Sequence, residues 1–348
     1  MFFASDNSGP VPQQVLDALA EANKGYAMAY GADALMDEVR NTLREIFEAP
    51  EASVHLVATG TAANSLALAT LSQPWQTIFC SPVAHIHEDE CNAPEFFTGG
   101  AKLTLVPGAD KMTPEALRGA IEGEETRGVH GPQRGPVSIT QVTERGGVYT
   151  LDELRALTDV TKSFGLPTHL DGARFANALV ALGCTPAEMT WKAGIDAVSF
   201  GGTKNGLMGV EAVIFFDPRH AWEFELRRKR GAHLFSKHRY LSAQMSAYLR
   251  DGLWLELAQK ANDNCAHLVA GLKEAGAEFL HAGPANMVFP SFPRATHRRL
   301  MAEGAVYHLW GAELDGGPDD EALPCRLVCD WSLAREEIDR FTKMVAQG

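Results

Sequence analysis

Short apolar runs recur through the first part of the chain, at 54–58, 77–81, 102–106, 137–141, 167–171, 197–200 and 212–216. Each has the length of a buried strand rather than of a helix. Most are separated by stretches whose apolar residues fall at helical spacing, at 61–71, 114–121, 151–164 and 173–182. That alternation predicts an α/β fold, a mainly parallel sheet with helices on both faces. Upstream, Val15, Leu16 and Leu19 share one stripe of a helix over 12–23. A second amphipathic helix follows over 35–47, after a loop of small residues at 26–33. Residues 1–12 are too short and polar to fold alone, so they either fray or lie across a site. Downstream, a charged helix over 219–230 ends in Arg227-Arg228-Lys229-Arg230, a pattern ordinarily found on a solvated face. One long helix over 241–272, broken near Gly252, leads into strands at 287–289, 305–309 and 326–329, with a loop at 315–320 and a closing helix over 335–345. The expected division is an N-terminal segment (1–12), a large domain (13–245) and a smaller C-terminal domain (246–348).

Composition narrows the function classes. At 348 residues, 45% apolar and 22% charged, the chain has the make-up of a soluble enzyme with one large and one smaller domain. A formal net charge of −13 argues against nucleic acid or an anionic membrane as partner. The six cysteines are scattered without Cys-x-x-Cys spacing and read as reduced core thiols of a cytoplasmic protein. No run reaches the length of a membrane span, and the N-terminus lacks a basic region followed by an apolar core.

Ligands of parallel sheets sit at the carboxyl ends of the strands, and three distinctive groups fall there. Lys204 follows an apolar run directly in Phe200-Gly201-Gly202-Thr203-Lys204-Asn205-Gly206, where the two leading glycines permit positive φ and close backbone approach. By itself it would be a solvated lysine in a turn. Asp171 ends a second run in His169-Leu170-Asp171-Gly172-Ala173-Arg174; by itself it would be a helix cap. Gly60-Thr61 opens a helix after a third run. Together they supply an amine for an imine, a carboxylate for a protonated ring nitrogen and a helix start for a phosphate. Those are the parts that hold pyridoxal 5′-phosphate.

Other residues fit around this centre. Arg174 is placed to donate to the cofactor's phenolic oxygen or to a substrate carboxylate. The imidazole of His85 can lie flat on a ring and reach the reacting side chain. Its neighbours His87, Glu88, Asp89 and Glu90 invite a metal reading, but His85 and His87 at i and i+2 share no helical face, so no metal is expected. An inward Arg326 would hold an α-carboxylate bidentately, and Ser5 could share it. Lys237 is a candidate second phosphate ligand reaching in from a neighbouring subunit.

Ser5-Asp6-Asn7-Ser8, Tyr30-Gly31-Ala32-Asp33, Gly60-Thr61-Ala62-Ala63-Asn64, His85-Ile86-His87-Glu88, Asp171-Gly172-Ala173-Arg174, the Lys204 stretch and Arg326-Leu327-Val328 together resemble the L-threonine aldolases. The likeness is to the low-specificity and phenylserine-aldolase branch, among the fold type I pyridoxal phosphate enzymes. It implies an aspartate-aminotransferase-like fold with a mainly parallel, seven-stranded-type sheet and a smaller α+β C-terminal domain. It implies Lys204 as Schiff-base lysine, Asp171 and Arg174 on the ring, Gly60, Thr61 and Asn64 with the cofactor, and His85 stacked on it. Ser5, Tyr30 and Arg326 would meet the substrate. The implied reaction cleaves L-threonine, L-allo-threonine or related β-hydroxy-α-amino acids, phenylserine among them, to glycine and an aldehyde. Another chemistry on the same scaffold, such as β-elimination, is the alternative. A homodimer or homotetramer with shared sites is expected, with neither nucleic acid nor membrane as partner. The sequence departs from the pattern after Thr143: where many relatives carry a histidine facing the β-substituent, this chain has Glu144. The group that takes the β-hydroxyl proton is left between His85 and a water it positions.

Overall fold

Strands β1 (Ser53–Val57), β2 (Gln76–Cys80), β3 (Lys102–Leu105), β4 (Gln133–Thr140), β5 (Thr168–Gly172), β6 (Ala197–Phe200) and β7 (Glu211–Phe215) form one sheet in the order β1-β7-β6-β5-β4-β2-β3. They are seen in a computed structural model that describes residues 1–347. Neighbours from β6 to β3 pair in parallel, whereas β7 runs antiparallel to both β1 and β6. The reason is connection length. Residues 201–210 between β6 and β7 carry only a 3₁₀ turn, Thr203–Asn205, and a parallel return needs a longer crossover. The parallel returns are made by helices such as Gly60–Leu71 and Leu151–Ser163. Strands β1, β5, β6 and β7 are buried at every position, as strands covered on both faces must be, whereas the edge strand β3 is half exposed.

A second, antiparallel sheet has the order β10-β11-β9-β8, from β8 (Glu278–Ala282), β9 (Met287–Pro293), β10 (His308–Leu309) and β11 (Ala322–Val328). It packs with the helices Leu253–Glu274 and Arg335–Ala346 around its own apolar cluster, which includes Leu268, Phe292, Leu327 and Phe341. The expected long helix is two, Arg239–Leu249 and Leu253–Glu274, parted where Asp251 and Gly252 take φ of 53° and 73°. One expectation needs correction here, and two elements went unpredicted. The predicted strand at 305–309 shrinks to His308–Leu309. Strand β8 was absent from the pattern because, on an edge, none of its residues is buried. The helix Arg294–Ala302 was missed because its inward face carries Arg294, Thr296 and His297 beside a single leucine.

The first residues are pinned rather than frayed. Phe3 is fully buried in the small-sheet cluster, donates its N–H to the Val306 carbonyl at 2.8 Å and accepts from Val328 N–H at 2.9 Å. The chain then turns at Asp6–Ser8 toward the carboxyl ends of the large sheet, where Asn7 reaches the cavity described next.

Candidate active site

Strand β6 ends at Phe200, and the next ten residues deliver Lys204. Here the glycines act through space. A Cβ on Gly202 would meet the Val210 carbonyl at 2.5 Å, and one on Gly201 would collide with the Ala173 carbonyl. Positive φ is not used at either; it falls at Gly206, at 110°. The buried Glu211 carboxylate accepts from Gly202 N–H at 2.6 Å and Thr203 N–H at 3.4 Å. Asn205 donates to Tyr248 Oη at 2.7 Å and the Trp254 carbonyl at 2.8 Å. The loop is therefore fixed by residues on either side of Lys204. Its own amine makes no hydrogen bond or ion pair among the described residues and faces a cavity of about 430 Å³.

Asp171 faces the same cavity from the end of β5. One carboxylate oxygen accepts from Ala173 N–H at 3.1 Å, a local turn bond and not a helix cap, because the helix Phe175–Leu182 has Arg174 at its N-cap. The other accepts from Asn64 Nδ2 at 2.8 Å, and the same amide nitrogen donates to Glu90 Oε1 at 2.9 Å. Two acceptor-only carboxylates dictate which way this amide points. Glu90 also lies 2.9 Å from His85 Nδ1. Burial pushes the Glu90 carboxyl up. The Glu90 hydrogen bond raises His85 above the ordinary imidazole value against burial, with Asp171 and Glu144 adding to it and Lys204 opposing. Beneath this network His169 is fully buried between Ser138 and Ser199 and is held neutral, its pKa pushed down to about 4 by burial.

At the other end of the cavity the helix Gly60–Leu71 begins. Thr59 caps it by accepting from Ala62 N–H at 3.1 Å. The N–H groups of Gly60 and Thr61 lie in the first turn, where no intrahelical acceptor exists. A Cβ on Gly60 would meet nothing within 4 Å, so this glycine borders a cradle rather than protein. The residues fit pyridoxal phosphate: a free amine, an ionisable carboxylate within its own hydrogen-bond frame, an imidazole and an unfilled helix start border one cavity.

Arg174 is 6% exposed and binds Asp6 through both Nε (2.6 Å) and Nη2 (3.0 Å). Much of its donor fork is thus already used, a limit on the ring or carboxylate contact expected of it. Asp6 is the partner that sequence reasoning missed. Burial alone would raise its carboxyl, but Arg174 and Lys204, with bonds from Arg174 and Asn286, hold it below the usual range. Asp6→Asn leaves Arg174 buried without its counter-ion and should cost about 3–5 kcal/mol in urea unfolding at neutral pH. The Asp6 contribution is present above the ordinary carboxylate value of about 3.9 and is lost as pH falls through the lower folded value. The gap between wild type and variant should therefore narrow in acid.

Arg326 lies on β11 with Nη2 3.3 Å from the Ala4 carbonyl and Nε buried without a partner. Burial and the neighbouring Arg174 guanidinium both press its pKa down. Asp6 and Glu144 both act on the two guanidiniums, so the buried, unpartnered Nε of Arg326, rather than an excess of positive charge, is the feature that suits a carboxylate. Ser5 Oγ accepts from Asn7 N–H at 3.1 Å, and it is Asn7 that lines the cavity. Tyr30 and Lys237 stand apart from it within this chain. The Tyr30 N–H binds the Ser236 carbonyl at 3.2 Å, and Lys237 lines a neighbouring depression that shares Met208 and Gly209 with the cavity. Glu144 sits in the tight Thr143–Gly147 turn beyond β4, close enough to act electrostatically on His85, Arg174 and Arg326. Glu90 and Glu211 were also missed. Glu90 drew only a metal reading and Glu211 opens β7 just past the glycine-rich loop; what marks both is burial.

A model of the beta-eliminating lyases matches residues 3–292. The low specificity L-threonine aldolase of Pseudomonas aeruginosa is 40% identical over 345 residues, spanning 98% of this chain and 96% of that protein. A solved threonine aldolase from Leishmania major superposes with a TM-score of 0.92 at 26% identity, covering 99% of this chain and 98% of its own. A serine palmitoyltransferase variant from S. paucimobilis with a bound PLP–myriocin aldimine shares the fold at a TM-score of 0.69 and 17% identity, over 100% of this chain and 86% of its own.

Proposed function

The chain belongs to the beta-eliminating lyase family, and from that premise we propose that it is an L-threonine aldolase. It would cleave L-threonine, L-allo-threonine and related β-hydroxy-α-amino acids to glycine and an aldehyde. Pyridoxal 5′-phosphate is its cofactor, and when bound it supplies the electron sink for the pair left on Cα. One observation carries the reading: a free lysine amine, a strand-end carboxylate and an open helix start, contributed by three separate strand ends, border one cavity.

Lys204 would hold the cofactor covalently, and its amine would also serve in proton transfer. Asp171 would keep negative charge at the ring nitrogen, and the N–H groups of Gly60 and Thr61 would hold the phosphate. Arg326, backed by Arg174, would fix the substrate's carboxylate. A carboxylate held there would decide which bond to Cα is presented for cleavage. His85, or a water it positions, would take the β-hydroxyl proton as the aldehyde leaves. Incubation with threonine, allo-threonine and phenylserine should release glycine with acetaldehyde or benzaldehyde. Release of a 2-oxo acid and ammonia instead would mark β-elimination and overturn the assignment.

Exposed apolar side chains support an oligomer with shared sites. Tyr26 (108% exposed), Met28 (70%) and Met208 (58%) leave large apolar side chains in water, and Met208 lines the cavity itself. A twofold partner covering this surface would bring Tyr30 and Lys237 to the neighbouring cavity. Light scattering should give a dimer or tetramer; a fully active monomer would refute it. Among the described residues no helix is long and apolar enough to cross a membrane. We place the protein in the cytoplasm, a reading supported by its six unpaired cysteines.

A further inference from the structure

We infer that Glu90 is the positioning residue that prepares His85 for proton transfer, by fixing its tautomer and by tying its charge to Asp171 through the Asn64 amide. The inference rests on the aldolase reading above for the direction of proton flow, but its geometry is independent of it.

The Glu90 side chain is fully buried, and that of His85 is 27% exposed at the cavity. A buried carboxylate needs its lone pairs filled. Glu90 Oε1 meets His85 Nδ1 and Asn64 Nδ2, both at 2.9 Å, and Oε2 accepts from Ser65 Oγ at 3.4 Å. An ionised carboxylate only accepts, so the proton of neutral His85 sits on Nδ1 and the lone pair on Nε2. Nε2 is then the basic atom left for a hydroxyl bound in the cavity. The second Asn64 hydrogen goes to Asp171 Oδ2 at 2.8 Å, so one amide clamps both carboxylates and fixes the spacing between the imidazole and the ring-nitrogen partner. The charged groups facing His85 are Glu90, Asp171 and Glu144, which favour its cation, and Lys204, which opposes it. Among them Glu90 has the direct hydrogen bond.

Glu90→Gln is close to isosteric. Its amide oxygen can take the Oε1 position and keep both incoming donors, while its NH₂ meets the Ser65 hydroxyl. The variant therefore removes charge and retains geometry, whereas Glu90→Asp retains charge. The test is a histidine NMR titration of the holoenzyme labelled at Cε1 and the ring nitrogens, with the His85 signal assigned by its loss in His85→Asn. In wild type, neutral His85 should be protonated at Nδ1 and titrate above about 6.5. In Glu90→Gln the midpoint should fall by about one pH unit, and the acid limb of kcat should move down with it; Glu90→Asp should restore both. An unchanged His85 midpoint in Glu90→Gln overturns the inference. So does an Nε2-protonated tautomer in wild type, which decides the matter even if the glutamine variant does not fold. These NMR readouts do not depend on which reaction the enzyme runs, so a failed aldolase assay leaves them standing.

Discussion

Lys204→Ala should abolish glycine release, by on the order of 10³-fold or more, in a protein that unfolds at nearly the wild-type temperature. Both halves follow from the loop. The lysine amine makes no hydrogen bond or ion pair among the described residues, and the 3₁₀ turn carrying it is fixed by Glu211, Asn205 and the close contacts of Gly201 and Gly202. Removing the side chain takes away chemistry and little packing. Borohydride should fix the cofactor to the wild-type protein and leave the variant unlabelled. Near-normal aldehyde formation by the variant would withdraw Lys204 as the attachment point and the proposed function with it.

Arg326→Ala should raise KM for threonine by about 10²-fold, since truncating one partner of a buried charge-assisted pair costs about 2–5 kcal/mol, while kcat falls less. The fold should tolerate it: in the free protein the guanidinium makes one long bond to the Ala4 carbonyl and stacks near Trp310, 6.0 Å from the ring centre. Its buried Nε without a partner is the feature a carboxylate would satisfy. A KM indistinguishable from wild type would remove Arg326 from the site, and Arg174, with two of its nitrogens already on Asp6, would then have to bind the carboxylate alone.

Glu90 and Asp6 show why part of the site was hidden in the sequence. Lys204, Asp171 and Gly60-Thr61 were visible because each follows an apolar run that can only be a buried strand, and the ends of such strands in a parallel sheet share one edge. Asp6 lies in a polar segment with no periodicity, and Glu90 is the last of three acidic residues that drew only a metal reading, since set aside. Each is buried because a distant residue receives it: Arg174, 168 positions away, for Asp6, and Asn64, 26 positions away, for Glu90. The second sheet was legible to the same degree. The break at Gly252 carried a signal, whereas β8 carried none, since an edge strand buries too little to be written in apolar residues.

Local patterning alone determined the large parallel sheet, the helices that cross it and the three strand ends that gather at one cavity. Burial on both faces forces continuous apolar runs, and backbone approach forces glycine at Gly201 and Gly202. Only the tertiary structure decided which charges neutralise one another there: Asp6 with Arg174, Glu90 with His85, and Asn64 between two carboxylates. A hydrogen bond between side chains far apart in sequence depends on where the chain returns in space, and residue type along the chain does not encode that.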